Sequence, residues 1–285
     1  MNTLTLLAAL EIGLIYALVA IGVYLSFRLI DFPDLTVDGS FTLGAAVSAA
    51  LIVTGSNPLL ATFIACLAGA MAGMVTGYLH VRWQILGLLA SILTMTALYS
   101  LNLRIMNKPN IALLNDATIF HGNVLLTLGG LVLICSLALI WLFNTHIGLS
   151  IRAVGINPRV SKAYGINVGK MKLATLALSN AMVAFSGALF CQSQGFADIS
   201  MGTGTIIIGL ASVIIGESIL GPKKIWIALI ACIIGSILYR IAIGLALNTQ
   251  HLGLQATDVN LLTALLVVLT MILPKLKRGN HHDKA

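Results

Sequence analysis

Long apolar runs alternate with short polar breaks along the whole chain. The runs fall at 3–27, 41–54, 58–80, 85–103, 123–144, 173–193, 205–220, 225–247 and 259–274. Most approach the roughly 20 residues that an α-helix needs to cross the hydrocarbon core of a bilayer. The pattern predicts an all-α integral membrane protein, a polytopic helical bundle of about nine segments. Two runs, 41–54 and 205–220, are short for a full crossing. They are expected to be tilted, broken or partly re-entrant, their irregular backbone satisfied by protein or water.

The longest polar break, Thr145 to Lys172, carries Arg152, Arg159, Lys162, Lys170 and Lys172 and no acidic residue. Lys and Arg resist translocation, so this loop is expected on the cytoplasmic side. Inside it the residues predict a short surface helix over Pro158–Tyr164. Asn157 can cap it, Pro158 suits its first position, and Gly165 can end it in the left-handed conformation. A helix of two turns is marginal alone in water, so this one is expected to form against a partner.

Alternating outward from that loop puts the N-terminus outside and the C-terminus inside. Arg28, Arg82, Lys223, Lys224 and the 275–285 tail join the inner side, leaving Arg104 and Lys108 outside. The first run lacks the positive flank and cleavage site of a signal peptide and is read as a retained span. Only 9% of residues are charged, against about 25% in soluble proteins, and mean hydropathy is +1.02. The net charge of +7 needs no nucleic-acid partner, because the basic residues sit at segment ends.

An internal repeat is legible. Phe32-Pro33-Asp34-Leu35-Thr36-Val37 follows the first span, and Phe196-Ala197-Asp198-Ile199-Ser200-Met201 follows the sixth. Downstream, Asn57-Pro58 matches Gly221-Pro222, and Ile64-Ala65-Cys66 with Gly69 matches Ile230-Ala231-Cys232 with Gly235. The two motifs fall on opposite sides, so the halves are inverted repeats, an architecture of transporters with a site near the midplane. The chain is therefore one transmembrane domain: a first half at 1–144, the loop 145–172, a second half at 173–274, and the tail.

The two motifs supply the first candidates for a translocation path: Asp34, Thr36, Asp38 and Ser40, and Asp198 with Ser200. Helix capping competes with that reading and is the expected role for Asp38 and Asp198. The fourth segment adds Thr94, Thr96, Tyr99, Ser100 and Asn102. Hydroxyls and amides suit a polar organic solute better than a bare metal ion, which favours carboxylate or thiolate clusters. Glu11, Arg28, Glu217 and Arg240 are the ionisable residues in or near spans. Arg28 is expected to snorkel, Glu217 to pair locally with the lysines of the next turn, and Arg240 to need a partner, for which Glu217 is one choice. Ala65, Gly69, Gly73 and Gly77 recur every four positions, a face that lets another helix approach closely, within the chain or across a dimer.

Cys66, Cys135, Cys191 and Cys232 stand singly in apolar runs and read as packed thiols. No metal-ligand spacing or nucleophile motif occurs. Gly165 to Met171 misses the phosphate-loop spacing by a residue and has Met where Ser or Thr binds magnesium. The chain is expected to bind no cofactor and to catalyse no covalent step.

The run YLSFRLIDFPDLTVDGSFTLGAA from Tyr24 to Ala46 resembles permease subunits of bacterial ABC importers of the branched-chain amino acid/ribose permease superfamily, and most closely the tryptophan/tyrosine type. Gly148 to Asn157, with Ala163-Tyr164-Gly165-Ile166, is similar to the segment by which those permeases dock on their ATPase. The resemblance implies an inner-membrane permease homodimer among lipids, two ATPase subunits carrying ATP and magnesium, and a periplasmic or lipid-anchored solute-binding protein. It implies a coupling segment containing Gly155, Asn157, Ala163 and Gly165, with Arg152, Arg159 and Lys162 meeting the ATPase. Arg152-Ala153-Val154 stands where older importers have Glu-Ala-Ala. The function expected is import of a small polar organic solute, an amino acid of the aromatic or branched-chain kind. An ion-coupled secondary transporter is the alternative, since inverted repeats serve both; the basic central loop favours the importer.

Overall fold

The computed structural model describes residues 3–113, 117–120, 122–221 and 224–247, with isolated positions 264 and 268. Ten α-helices make up almost all of this. They are α1 (Thr3–Val23), α2 (Thr36–Val53), α3 (Pro58–Trp83), α4 (Gly87–Met106), α5 (Val124–Asn144), α6 (His146–Ile156), α7 (Pro158–Ala163), α8 (Val168–Gln194), α9 (Thr205–Leu220) and α10 (Ile225–Leu247). Seven of the described helices are long and apolar enough to cross a membrane, and α9 is shorter. The expected span at 259–274 and the Pro222-Lys223 turn lie outside the described residues.

Residues Tyr24–Leu29 extend α1 as a π-helical turn. Two short strands, β1 (Asn110–Ala112) and β2 (Phe196–Asp198), pair antiparallel, with Asn110 opposite Asp198. Neither feature is signalled by the hydropathy pattern.

The repeat seen in sequence is a repeat in space. The first motif joins α1 to α2 and α3, and the second joins α8 to α9 and α10. Exchanging α1 with α8, α2 with α9 and α3 with α10 turns each major packing pair among these six into another observed pair. The correspondence reaches single residue pairs, although both donors lie on α8. Ser179 Oγ donates to the Gly22 carbonyl at 2.6 Å, and Ser186 Oγ donates to the Ile15 carbonyl at 2.7 Å. These contacts run antiparallel along α1 and α8, so the two-fold relating the halves lies across the helices. The repeats are inverted, as the sequence predicts.

Glycine sets how closely the halves approach. A Cβ on Gly69 or Gly73 would run into the backbone carbonyls of Asn180 and Leu176 on α8, and one on Gly77 would meet Leu173 Cα at 3.2 Å. The ladder is therefore an α3–α8 seam inside the chain, which decides between the two packings that the sequence leaves open. The partner repeat reproduces it, Gly13 of α1 facing Ile237 of α10.

Sidedness follows from contacts between loops. One face gathers Arg28, Glu217, His80, Lys172 and the α6–α7 segment. The opposite face gathers β1, β2 and Ile119, whose N–H bonds to Gln192 Oε1.

Candidate functional site: the meeting of α2 and α9

Between α1 and α2 the chain turns inward. Asp31 adopts φ +51°, and the Phe32 N–H returns to the Ser26 carbonyl at 2.9 Å. Helix α2 therefore starts in the middle of the bundle: Gly39 faces Met95 and Leu98, at the midpoint of α4. Helix α9 starts there too. Asp38, in the first turn of α2, accepts from the N–H of Gly204 at 3.0 Å and of Ile206 at 2.8 Å. Asp38 thus caps the helix of the other repeat rather than its own, which corrects the sequence expectation. Gly202, its counterpart across the two-fold, has no side chain because a Cβ would strike the Asp38 carbonyl.

The two motif aspartates share a turn and differ in surroundings. Asp34 Oδ1 accepts from the Thr36 N–H at 3.0 Å, and Asp198 Oδ1 accepts from the Ser200 N–H at 2.8 Å. Asp198 therefore closes its own turn, short of the α9 N-terminus. Asp34 is fully buried, and Asn180 Nδ2 donates to its Oδ2 at 2.7 Å. Asn180 also accepts from Ser40 Oγ at 2.7 Å, and Thr36 and Thr76 hydroxyls pair at 2.8 Å. Burial pushes the Asp34 carboxyl above its usual range, against the pull of the bonds from Thr36 and Asn180. Asp198 lies near the surface, and its bonds from Ser200 hold its carboxyl below that range.

On the fourth segment, Thr94 satisfies itself on the Ala90 carbonyl. Asn102 is buried, donates Nδ2 to the Gly39 carbonyl at 3.3 Å, and leaves Oδ1 without a partner. Asp38, Gly39, Thr42, Asn102, Gly202 and Thr203 surround a small cavity of about 50 Å³ beside Tyr99. The predicted path residues thus divide: Asp38 and Asn102 meet there, Asp34, Thr36 and Ser40 form the buried network with Asn180, and Asp198 and Ser200 lie toward the β1–β2 face.

The ionisable residues pair differently from expectation. Glu217 binds Arg28 through both carboxylate oxygens, with Arg28 Nε 2.9 Å and 3.0 Å from them. Among the described residues it therefore partners neither Arg240 nor Lys224, while Lys223 lies outside them. Arg240 instead lies over the Tyr16 ring, 4.3 Å from its centroid, a cation–π contact suited to a desolvated setting. Asn180 and Gln192 are buried polar residues that the sequence reading missed; Gln192 donates to Ser48 and Thr62 at 3.0 Å and 2.8 Å. A polar side chain inside an apolar run is the signal that could have found both.

The central loop holds one helix more than predicted. Helix α6 precedes α7 and packs on the π turn, where a Cβ on Gly155 would strike the Leu29 carbonyl. Arg152 of α6 donates to the Phe143 carbonyl at 3.3 Å, serving an orphan acceptor at the end of α5. Helix α7 matches expectation: Asn157 Oδ1 accepts from the N–H groups of Arg159 and Val160 at 3.0 Å and 3.1 Å, and Gly165 has φ +81°. Arg159, Lys162, Ala163 and Gly165 are exposed, whereas Arg152 and Gly155 are partly buried against the membrane domain.

Two inverted halves with helices beginning at their centre define a multi-pass solute transporter. The chain belongs to the family described as branched-chain amino acid transport system / permease component, which matches residues 5–273. It is similar to the tyrosine transport system permease protein of Clostridioides difficile (strain R20291), 38% identical over 258 residues that make up 90% of this chain and 86% of that one. An uncharacterised protein of Rickettsia prowazekii (strain Madrid E) is 34% identical over 288 residues, covering 96% of this chain and 98% of that protein. The galactofuranose transporter permease protein of Escherichia coli (strain K12) is 30% identical over 162 residues, 55% of this chain and 47% of that one. A solved structure described as an inward-facing conformation of a metal-chelate type ABC transporter matches with a TM-score of 0.51 at 17% identity, over 96% of this chain and 85% of that one. That likeness concerns the fold alone. The family makes the chain a permease subunit of an ABC transporter, a transport component rather than an enzyme, and decides against the ion-coupled alternative.

Proposed function

We propose that this chain forms the translocation path of an ATP-driven importer for an amino acid, of the aromatic kind. The observation that carries the reading is the 38% identity, along 90% of the chain, to a permease named for tyrosine transport. Helix α7 and its flanks are the docking element for a separate ATPase subunit that holds ATP and magnesium. Ile156, Val160 and Tyr164 lie exposed at intervals of four, an apolar stripe with Arg159 and Lys162 beside it. A stripe of this kind on a surface helix suits a protein partner. Asn157 caps the element and Gly165 ends it, with Ala163 on its outer side. Arg152 and Gly155 serve it from behind by anchoring α6.

In this arrangement the α6–α7 face is cytoplasmic, the N-terminus is outside and the C-terminus inside the bacterial inner membrane. A periplasmic or lipid-anchored solute-binding protein delivers to the β1–β2 face, and two copies of the chain complete the path. Two blocks related by the two-fold, α2, α3 and α8 in one and α1, α9 and α10 in the other, rock against each other while the 145–172 loop takes up the stroke. ATP binding drives this by favouring one of the two states.

The test is co-purification of the ATPase subunit in detergent, followed by uptake of labelled tyrosine in proteoliposomes. Val160→Asp with Tyr164→Ala is expected to abolish co-purification while leaving the permease folded. Uptake of no aromatic amino acid by an intact complex would overturn the substrate assignment.

A further inference from the structure

The cavity at the meeting of α2 and α9 has a largely apolar wall, and its polar edge is made of acceptors. Asn102 is 1% exposed and its Oδ1 has no partner. Thr42 Oγ1 donates to the Asp38 carbonyl at 3.2 Å and Thr203 Oγ1 to the Ser200 carbonyl at 2.7 Å, so each hydroxyl has spent its proton. The Asp38 carboxylate accepts two backbone N–H groups and retains lone pairs. An occupant must therefore supply several donors.

Charge points the same way. Asp38 sits at the N-terminus of α9, which is worth roughly +0.5, and one carboxylate outweighs that dipole. Arg28–Glu217 is the one ion pair among the described residues, so Asp38 has no cation at bonding distance there. Arg240, the nearby cation, stands across Tyr16.

The cavity, about 50 Å³, admits one small group rather than a whole solute; a water's share of the liquid is about 30 Å³. Its mouth is at Tyr99, on the outer face of α4. That face carries Thr96, Tyr99 and Ser100, exposed in mid-helix, whereas the exposed mid-helix positions of α3 and α5 are apolar. Hydroxyls there suit water or a solute better than lipid.

We propose that this cavity is a subsite for the primary ammonium group of the transported solute, held by Asp38, Thr42, Asn102 and Thr203. The remainder of the solute then lies along Tyr99 and Ser100 of α4. The assignment rests on the amino-acid reading above.

The experiment is thermal-shift titration of the full permease in nanodiscs with tyramine, an amine lacking the carboxylate, and 3-(4-hydroxyphenyl)propanoate, a carboxylate lacking the amine. Tyramine is expected to stabilise and the propanoate not. Asn102→Leu and the surface variant Thr203→Val each weaken tyramine about tenfold or more, as loss of a hydrogen bond to a charged group predicts. Asn102→Asp strengthens it. Equal stabilisation by the propanoate, an unchanged affinity in Thr203→Val and Asn102→Asp, or a matching shift with sodium or potassium chloride alone overturns the subsite. Uptake of labelled tyrosine by the complete complex is read separately. Uptake without an amine preference in the permease sinks the subsite alone, and absent uptake with amine binding intact sinks the amino-acid reading alone.

Discussion

Gly73→Ala is the sharpest perturbation of the seam between the repeats. In a helix interior the exchange by itself gains about 1 kcal/mol, because glycine is the poorer helix former. At Gly73 the added Cβ meets the Leu176 carbonyl and the Ala177 backbone, and neither can turn aside as a side chain could. Overpacking of this kind costs about 1–3 kcal/mol, so the net effect is a loss. Gly77→Ala meets Leu173 Cα at 3.2 Å, and gain and cost nearly cancel. Gly129→Ala, on α5 with nothing within 4 Å, keeps the whole gain. Thermal unfolding in detergent should rank the three in that order. Gly73→Ala is expected to melt below wild type by up to about 8 °C, at roughly 2–4 °C per kcal/mol for a domain somewhat smaller than this one. A Gly73→Ala protein as stable as Gly129→Ala, or one that loses only self-association, would refute the intrachain seam.

Asn180→Ala should cost about 2–3 kcal/mol, since it strips a charge-assisted bond from Asp34 and orphans Ser40. Adding Asp34→Asn should recover part of that loss in a double-mutant cycle on unfolding midpoints. Glu217→Gln should shift stability by less than about 1 kcal/mol, because the Arg28 side chain is 59% exposed; a large, salt-insensitive loss in the melt would contradict this. The carboxyl of Asp198 is held below its unfolded value, so its contribution is present above about pH 3.9 and is lost as pH falls through the folded value. Amide protection factors at 196–200, corrected for the intrinsic exchange rate at each pH, should therefore fall below about pH 4 and stay level from pH 5 to 8, and Asp198→Asn should remove the step.

Much of this was legible because its causes are local. Pro158 after Asn157, and Gly165 beyond, specify a capped two-turn helix whatever surrounds them. The inverted repeat survives in sequence because both motif aspartates close the same turn onto Thr36 and Ser200. What escaped depends on contacts across long separations. Asp38 sits where a cap belongs, yet the N–H groups it serves belong to residues 204 and 206. Arg28 and Glu217 are 189 positions apart, and no spacing rule joins them. The glycine ladder announced a close neighbour without naming it, since small residues show only that something approaches. Helix α6 was hidden because its buried Gly148, Ile151 and Val154 make too short a stripe to stand out within a polar loop.

Backbone-to-backbone seams constrain how such a machine can move. Where α3 and α2 meet α8, at Gly73, Gly44 and Gly187, main chain lies against main chain. No rotamers exist there to rearrange, so sliding by one turn would require prying the helices apart. These three helices must travel as a single block, and α10, α9 and α1 form the matching one. The blocks touch along α1 and α8, where two serine hydroxyls grip carbonyls on either side of the two-fold. A pair of bonds disposed evenly about an axis resists translation more than rotation. A turn of one block against the other would pivot at that crossing and would have to strain the Asp38 cap on α9 as well.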